Sequence, residues 1–334
     1  MRPPGLLRAG DPAFTRQAGA FGPSAPAARH VLREGGKGRL VGLSDRIEHA
    51  LLRAFVGVVS RLSARSGRAL ARGLGDLAFD VVRIRRSVTL GNLEAAFPER
   101  TDADRRRIAR GAYRSFAQTS VDLARMNRLP REARLAMGDV AHREHLEAVA
   151  SAGRGAILLT AHFGNWEWLG SLPAALGHRT KAIVGEHHNK LAGAYIDSIR
   201  ARLGVGTLPA EKGLKDLILA MREGNLVVIV GDQDAGRDGV FVELMGRPAS
   251  TAVGPVRLAR RFGVPILQGF AVRLPDGRLR AEFLPPLLVP RGEDEGEDIR
   301  CHTEILTRNL EAFIRRYPEQ WFWMHRRWKT RPRP

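Results

Sequence analysis

Apolar residues recur at helical spacing from Ile47 onward: Ile47, Leu51, Phe55, Val58 and Leu62, with Ser44 or Asp45 standing where an N-cap belongs. Several helices are expected to follow as far as about Met126, among them Asp102–Met126 with Thr101 as its cap. Arginines occupy their polar faces, a pattern that suits either a helix lying on a membrane or a helix covering a sheet. From about Ala156 the period changes. Short apolar runs at Ala156–Thr160, Thr180–Val184, Leu226–Val230 and Pro265–Ala271 alternate with helical patterns at Glu167–Leu176, Ala192–Leu203 and Lys212–Glu223. Apolar runs separated by helices predict an α/β fold with a mostly parallel central sheet covered on both sides, preceded by a helical N-terminal portion. Arg273–Phe283 reads as a hairpin turned at Pro275-Asp276-Gly277, and the acidic stretch Glu293–Asp298 as a loop or a helix start. Residues 1–40 are rich in Gly, Pro, Ala and Arg without a sustained period, and read as a disordered basic arm. The expected organisation is that arm, then a single domain over 41–332: a helical part at 41–130 and an α/β catalytic part at 131–332.

Charge narrows the class of partner. The chain carries 54 Lys+Arg against 35 Asp+Glu, a net charge of +19, and 48 of the cations are arginines. Such a balance points to an anionic partner: a phospholipid surface, a phosphorylated substrate, an acidic protein or a nucleic acid. Arginine-rich coding bias would give the same numbers. Cys301 is the only cysteine, so no disulfide forms within the chain and no thiolate cluster can hold a metal. No stretch reaches the roughly 18 apolar residues of a spanning helix, and Ala50–Leu62 is interrupted by Arg53 and Arg61. The expectation is a cytoplasmic or membrane-surface protein.

The chemistry concentrates at "LLTAHFGNWEWLG", residues 158–170. His162 follows an apolar strand, and ligands in such sheets gather at the carboxyl ends of strands. Five positions on lies Glu167, which a continuous helix would place on a different face. Gly164 and Asn165 supply a turn, and Asn165 is a suitable N-cap for a helix starting at Trp166. Glu167 is then favoured by the helix dipole and is expected to reach back to one imidazole nitrogen. The other nitrogen acts as base on a hydroxyl. No serine or cysteine in the segment offers a nucleophile, so the hydroxyl belongs to a substrate. Helix-start amides and nearby cations suit an oxyanion. The spacing alone is weak, and a capping glutamate beside an incidental histidine is the bland alternative; the strand–His–Gly-Asn context strengthens the catalytic reading. Asp232 and Asp234 end the Leu226–Val230 strand on the same sheet edge, positioned to orient an arginine or a substrate hydroxyl.

"GRGAILLTAHFGNWEWLG" resembles the bacterial lipid A biosynthesis acyltransferases, the lauroyl/myristoyl transferase family within the lysophospholipid acyltransferase-like group. "NLEAAFPE" at 92–99, the block at 231–267 and "YPEQWFWMHRRWKTRP" at 317–332 resemble further signatures of that family, in its order, over roughly residues 45–332. The resemblance implies a glycerolipid acyltransferase-like fold and a catalytic pair at His162 and Glu167. It also implies substrate-side roles that fall on Gly204 and Asp232, to which the residue reading adds Asn165 and Asp234. The implied reaction moves an acyl chain from a thioester, on acyl carrier protein or coenzyme A, to a hydroxyl of a membrane glycolipid such as a lipid A precursor. The thioester is a co-substrate, and neither cofactor nor metal is implied. The implied location is peripheral, on the cytoplasmic face of the inner membrane. The chain departs from the family pattern at Gly185-Glu186, where many members carry an arginine and a proline.

Rival readings remain. Asp232-Gln233-Asp234 is an Asp-x-Asp at a strand end, the pattern of a metal-dependent nucleotide-sugar glycosyltransferase, but that reading leaves His162 and Glu167 unexplained. A phospholipid or another glycolipid is the alternative acceptor. His142, Glu144, His145, His187 and His188 match no zinc-protease spacing and read as surface residues. A nucleic-acid module would use the charge, yet the chain has only three tyrosines for stacking. The Trp321–Pro334 tail joins three tryptophans to five cations and suits a headgroup interface, with Trp321 and Trp323 equally at home in a core.

Overall fold

The structure is a computed structural model that describes residues 42–210 and 214–332. The basic arm expected at 1–40 lies outside the described residues. The N-terminal portion is helical: α1 (Leu43–Val59), α2 (Ala64–Asp76) running into a π-helical turn at Leu77–Val81, α3 (Arg86–Ala96) and α4 (Asp102–Met126). Thr101 caps α4, its hydroxyl accepting from Asp104 N at 3.1 Å. Helices α2 and α4 pack closely because Gly75 carries no side chain; a Cβ there would stand 2.6 Å from the Cα of Arg114. Ion pairs Arg114–Asp76 (2.6 Å) and Arg110–Asp80 (2.8 Å) flank that crossing.

After α5 (Arg131–Leu135) the chain becomes α/β: β1 (Gly138–Ala141), α6 (Arg143–Ser151), β2 (Ala156–Thr160), α7 (Trp166–Ala175), β3 (Thr180–Val184), α8 (Lys190–Arg202) and β4 (Val205–Pro209). There follow α9 (Leu214–Arg222), β5 (Leu226–Val230), the β6 (Val240–Leu244)–β7 (Arg247–Thr251) hairpin and α10 (Gly254–Phe262). The last elements are β8 (Ile266–Arg273), β9 (Leu279–Phe283) and α11 (Glu295–Arg316). Seven strands form one sheet in the order β1-β9-β8-β2-β5-β3-β4. Strands β8, β2, β5, β3 and β4 run parallel; β9 is antiparallel to β8, and β1 is parallel to β9. The expected α/β class, with a mostly parallel flanked sheet and a helical N-terminal portion, is the observed one.

Every residue of β2 is buried, and alternate residues serve two cores. Ala156 and Leu158 pack with Trp168, Leu169 and Leu172 of α7, while Ile157 and Leu159 pack with Val256 and Ala259 of α10 and Ile299 and Leu306 of α11. A strand buried on both faces gives the continuous apolar run seen in the sequence. The hairpin turns where expected: Gly277, at φ +87°, donates its N–H to Leu274 O at 2.8 Å. The acidic stretch is a helix start, with Asp294 capping α11.

Of the two places open to the C-terminal tail, a headgroup interface and the core, its tryptophans take the core, Trp328 included. Trp321, Trp323 and Trp328 are buried, and Arg327 is only 2 % exposed. They join Phe97, Phe163, Phe270 and Phe313 in the core that fastens the N-terminal helices to the sheet. Burying ring area within the protein is the stronger use of these side chains. The exposed apolar surface lies instead on α1 and around the π-helical turn, where Leu43, Ile47, Leu51, Val58, Val81, Val82 and Ile84 are each at least half exposed.

Candidate active site

Parallel register builds the centre of the site. Thr160, the last residue of β2, faces Val230, the last of β5, and two residues beyond each strand end come His162 and Asp232. Equal offsets on adjacent parallel strands bring together residues separated by 70 positions. The Nδ1–H of His162 donates to Asp232 Oδ1 at 2.7 Å, and the His162 amide donates to Oδ2 at 3.0 Å. Trp321 Nε1 donates to the same Oδ2 at 2.8 Å. Asp232 is fully buried; burial raises its pKa, but His162 and Trp321 outweigh that and hold the carboxyl below its ordinary range. Burial likewise pushes His162 down, and the attraction of Asp232, its hydrogen bond and the more distant Glu167 together carry the imidazole above its ordinary value.

The turn after His162 is clamped from three sides. Gly164 N donates to Gln320 O (2.8 Å), Asn165 N to Ala271 O (2.9 Å), and Thr119 Oγ1 to Gly164 O (2.7 Å). Asn165 caps α7, accepting from Trp168 N at 2.9 Å, while its own amide donates to Asp122 Oδ2 at 3.0 Å. Asp122 is a buried hub that also accepts from Gln118 (2.9 Å) and Arg273 (2.5 Å). Trp166 and Phe322 flank the imidazole, with ring centroids 5.3 and 5.8 Å away.

Glu167 does not reach back to His162. From the first turn of α7 it points across to α8, where its two oxygens accept from Arg200 Nη2 (2.6 Å) and Nε (3.1 Å). The imidazole nitrogen Nδ1 is held instead by Asp232. Arg200 also donates to Asp197 at 3.1 Å. Burial lowers its pKa, and the two carboxylates more than offset that, keeping it raised.

His162, Trp166, Glu167 and Arg200 border a cavity of about 490 Å³ that runs inward past Gly170, Ala182, Leu203, Val205 and Val228. One end is polar, with His162 and the Glu167–Arg200 pair; the other is lined by small and aliphatic side chains. Gly185 and Glu186, where the sequence leaves the family pattern, stand on the polar rim together with Gln233. Of the first-turn amides of α7, that of Trp168 is taken by the Asn165 cap; those of Trp166 and Glu167, two residues that line this cavity, have no intrahelical acceptor.

Of the substrate-side candidates, Asp232 joins the site through His162. Asn165 is buried and committed to its cap and to Asp122. Gly204, at φ +87°, terminates α8, and a Cβ there would press on Ala174 at 3.2 Å; its place is to end the helix that carries Arg200. Asp234 accepts from Thr330 Oγ1 (2.8 Å), and its amide donates to His325 Nε2 (3.0 Å), tying down the tail. The two aspartates of the Asp-x-Asp thus face different partner sets, a poor arrangement for sharing a metal. Arg200, Trp321 and Asp122 were missed as site residues. Each acts across 30 or more positions, and no local pattern marks such pairings.

The sequence profile of the bacterial lipid A biosynthesis acyltransferases matches residues 45–330. Among curated relatives, the lipid A biosynthesis lauroyltransferase of Escherichia coli (strain K12) is 29% identical over 79% of this chain and 85% of its own length. The lipid A biosynthesis palmitoleoyltransferase of the same organism is 27% identical over the same shares. A phosphatidylinositol mannoside acyltransferase of Mycobacterium tuberculosis (strain CDC 1551 / Oshkosh) is 28% identical over 55% of the chain and 58% of its own length. With nearly its whole described length inside the family profile and a His–Asp pair, its aspartate buried, at the mouth of a partly aliphatic cavity, the chain is an acyltransferase and belongs to the bacterial lipid A biosynthesis acyltransferase family.

Proposed function

We propose that this enzyme transfers a fatty acyl chain from an acyl carrier protein thioester to a hydroxyl of a membrane glycolipid of the lipid A precursor type. The observation that carries the reading is the His162–Asp232 pair opening onto a cavity that is polar at one end and aliphatic at the other. Asp232 fixes the tautomer with the proton on Nδ1, leaving Nε2 to take the proton of the acceptor hydroxyl. The oxygen attacks the thioester carbonyl, and the α7 amides of Trp166 and Glu167 stabilise the oxyanion. Collapse breaks the C–S bond, and His162 returns its proton to the leaving thiolate. The ester forms and the free carrier thiol is released. Glu167 serves by holding Arg200 at the polar rim, where the pair hydrogen-bonds the acceptor. The aliphatic end takes the acyl chain.

Purified protein, acyl-loaded carrier protein and a detergent-dispersed lipid A precursor should yield product heavier by one acyl group in mass spectrometry. Acyl-coenzyme A in place of the carrier tests the donor. The Gly185-Glu186 rim and the phosphatidylinositol mannoside acyltransferases among the relatives favour testing that second glycolipid in parallel. Turnover of neither acceptor would overturn the substrate assignment. Since base and oxyanion donors all come from protein, activity should persist in EDTA; loss with rescue by magnesium or manganese would contradict this mechanism.

We place the enzyme peripherally on the cytoplasmic face of the inner membrane. Among the described residues no helix is long and apolar enough to cross a membrane. Helix α1 is apolar on two faces. Val56 and Val59 pack inward with Ile199 of α8, while Leu43, Ile47, Leu51 and Val58 fall on one outward stripe flanked by Arg46 and Arg53. Burying such a side chain contributes about 1.5–3 kcal/mol, and each arginine near anionic headgroups adds about 1 kcal/mol. Replacing Leu43, Ile47 and Leu51 by serine is therefore expected to weaken flotation with anionic vesicles by about 100-fold or more, leaving the melting temperature nearly unchanged. Unaltered flotation would exclude this stripe as the anchor. Trp328→Ala, by contrast, should destabilise the fold.

A further inference from the structure

A second, much smaller chamber lies against Asp232 on the α10–α11 side of the sheet, away from the substrate cavity. Its volume is about 30 Å³, and Thr160, Asp232, Gln268, Thr303 and Arg327 contribute to its wall. That is above the roughly 10–15 Å³ a cavity needs to hold one water. Three buried polar atoms without a protein partner belong to residues of this wall: Thr160 Oγ1 after the end of β2's apolar run, Thr303 Oγ1 from α11, and Arg327 Nε from the tail. The presence of three such atoms on the residues that line one chamber is unusual, since buried polar groups are almost always paired with protein or ordered water.

Arg327 is the more telling member. It is 2 % exposed, and its terminal nitrogens donate to Ser250 O (2.6 Å) and Thr251 Oγ1 (2.5 Å), both uncharged. The fork is thereby fixed while its charge is left to act on the nearby carboxylates of buried Asp232 and half-buried Asp234. A chamber walled by both a guanidinium and a carboxylate disfavours an anion and a cation alike. It suits a neutral molecule that can accept from Nε–H and donate to oxygen.

We propose that this chamber is a binding site for a single ordered water, and that through it Arg327 acts as a positioning residue. The water links the guanidinium to Asp232 and the two threonines, keeping the carboxylate ionised and aimed at His162. The proposal rests on the reading of His162 as the base only for its kinetic consequence. Other charged groups facing His162 are Glu167 with its partner Arg200, and His325 beside Asp234; all are retained in the variants below.

The test is an NMR titration of the His162 ring in full-length protein carrying labelled histidine, with His162→Gln as the assignment control. A fixed cation near the pair opposes formation of the imidazolium. Arg327→Gln should therefore raise the His162 midpoint by about half a unit or more, and Arg327→Lys should restore most of it. Thr160→Val with Thr303→Val, nearly isosteric and charge-neutral, should move the midpoint in the same direction. The same variants should lower kcat about 10-fold with KM little changed. A His162 midpoint equal to wild type in folded Arg327→Gln would overturn the proposal and leave Arg327 a tether for the tail. Should Arg327→Gln not fold, an unchanged midpoint in the double threonine variant overturns it equally. The midpoint is read without substrate, so failure of the acyl-transfer reading would silence only the kinetic arm.

Discussion

Asp232→Asn is expected to reduce acyl transfer by about 10³–10⁴-fold, whereas Glu167→Gln should cost about 10–100-fold. The larger loss follows from the tautomer. An asparagine amide can present its NH₂ to Nδ1, which drives the imidazole proton onto Nε2 and removes the base. It also abolishes the attraction that carries His162 above its ordinary pKa. In the wild type, kcat/KM should rise with pH as His162 loses its proton, with a midpoint above the usual histidine value of about 6.5. Residual activity of Asp232→Asn should show that limb displaced to lower pH. His162→Ala should be as inactive as Asp232→Asn, and the double variant no worse, because the pair works as one unit. Glu167→Gln keeps the dyad and loses a charge-assisted pairing to Arg200, so its acid limb should move only slightly, downward. A Glu167→Gln enzyme as crippled as His162→Ala, beside an Asp232→Asn enzyme near wild-type turnover, would return Glu167 to the role of orienting partner.

Much of this site was legible because it is local. The buried run of β2, the histidine at its end, the Gly-Asn turn and the cap of α7 all lie within eleven residues, and each has a physical signature in the chain. Asp232 was legible as a strand-end acid on the same edge as His162. That it pairs with His162 depends on the equal offset of the two residues from Thr160 and Val230, and register is a property of the sheet. Glu167 shows the converse. Its position at a helix start was readable, but its partner depends on where α8 crosses α7. The place of the tail is open in the sequence for a related reason. Tryptophans interleaved with arginines suit a headgroup interface and a sealed core equally well, and the choice is made by Phe163, Phe270 and Phe313, which offer the tail a surface to pack on. The outward stripe of α1 was seen as helical periodicity, while the division of its apolar residues between two opposite faces emerges only once α8 covers one of them.

Gly164→Ala is expected to be the most damaging single-methyl change in the molecule's active region. Gly164 sits at φ +53°, in the left-handed region, and a Cβ there would stand 1.8 Å from Ala271 O. Left-handed backbone alone costs a residue with a side chain roughly 1–2 kcal/mol. The clash cannot be relieved by a rotamer change, because the obstructing atom is the backbone carbonyl of β8 that the turn approaches. Moving the turn away strains the bonds from Gly164 N to Gln320 O, from Asn165 N to Ala271 O and from Thr119 Oγ1 to Gly164 O, and with them the link between β2, the tail and α4. A destabilisation of at least about 3–4 kcal/mol follows, equivalent to a fall in melting temperature of roughly 6 °C or more for a chain of this size. Turnover by whatever folds should fall below about 1 %, since a displacement of about 1 Å at His162 is enough to cost two orders of magnitude. Gly177→Ala is the matching control: φ is +98° there, and no atom lies within 4 Å of the added Cβ. It should cost only the backbone term and leave activity intact. If Gly164→Ala melts and turns over like Gly177→Ala, the close approach of this turn to β8 is not what holds His162 in place.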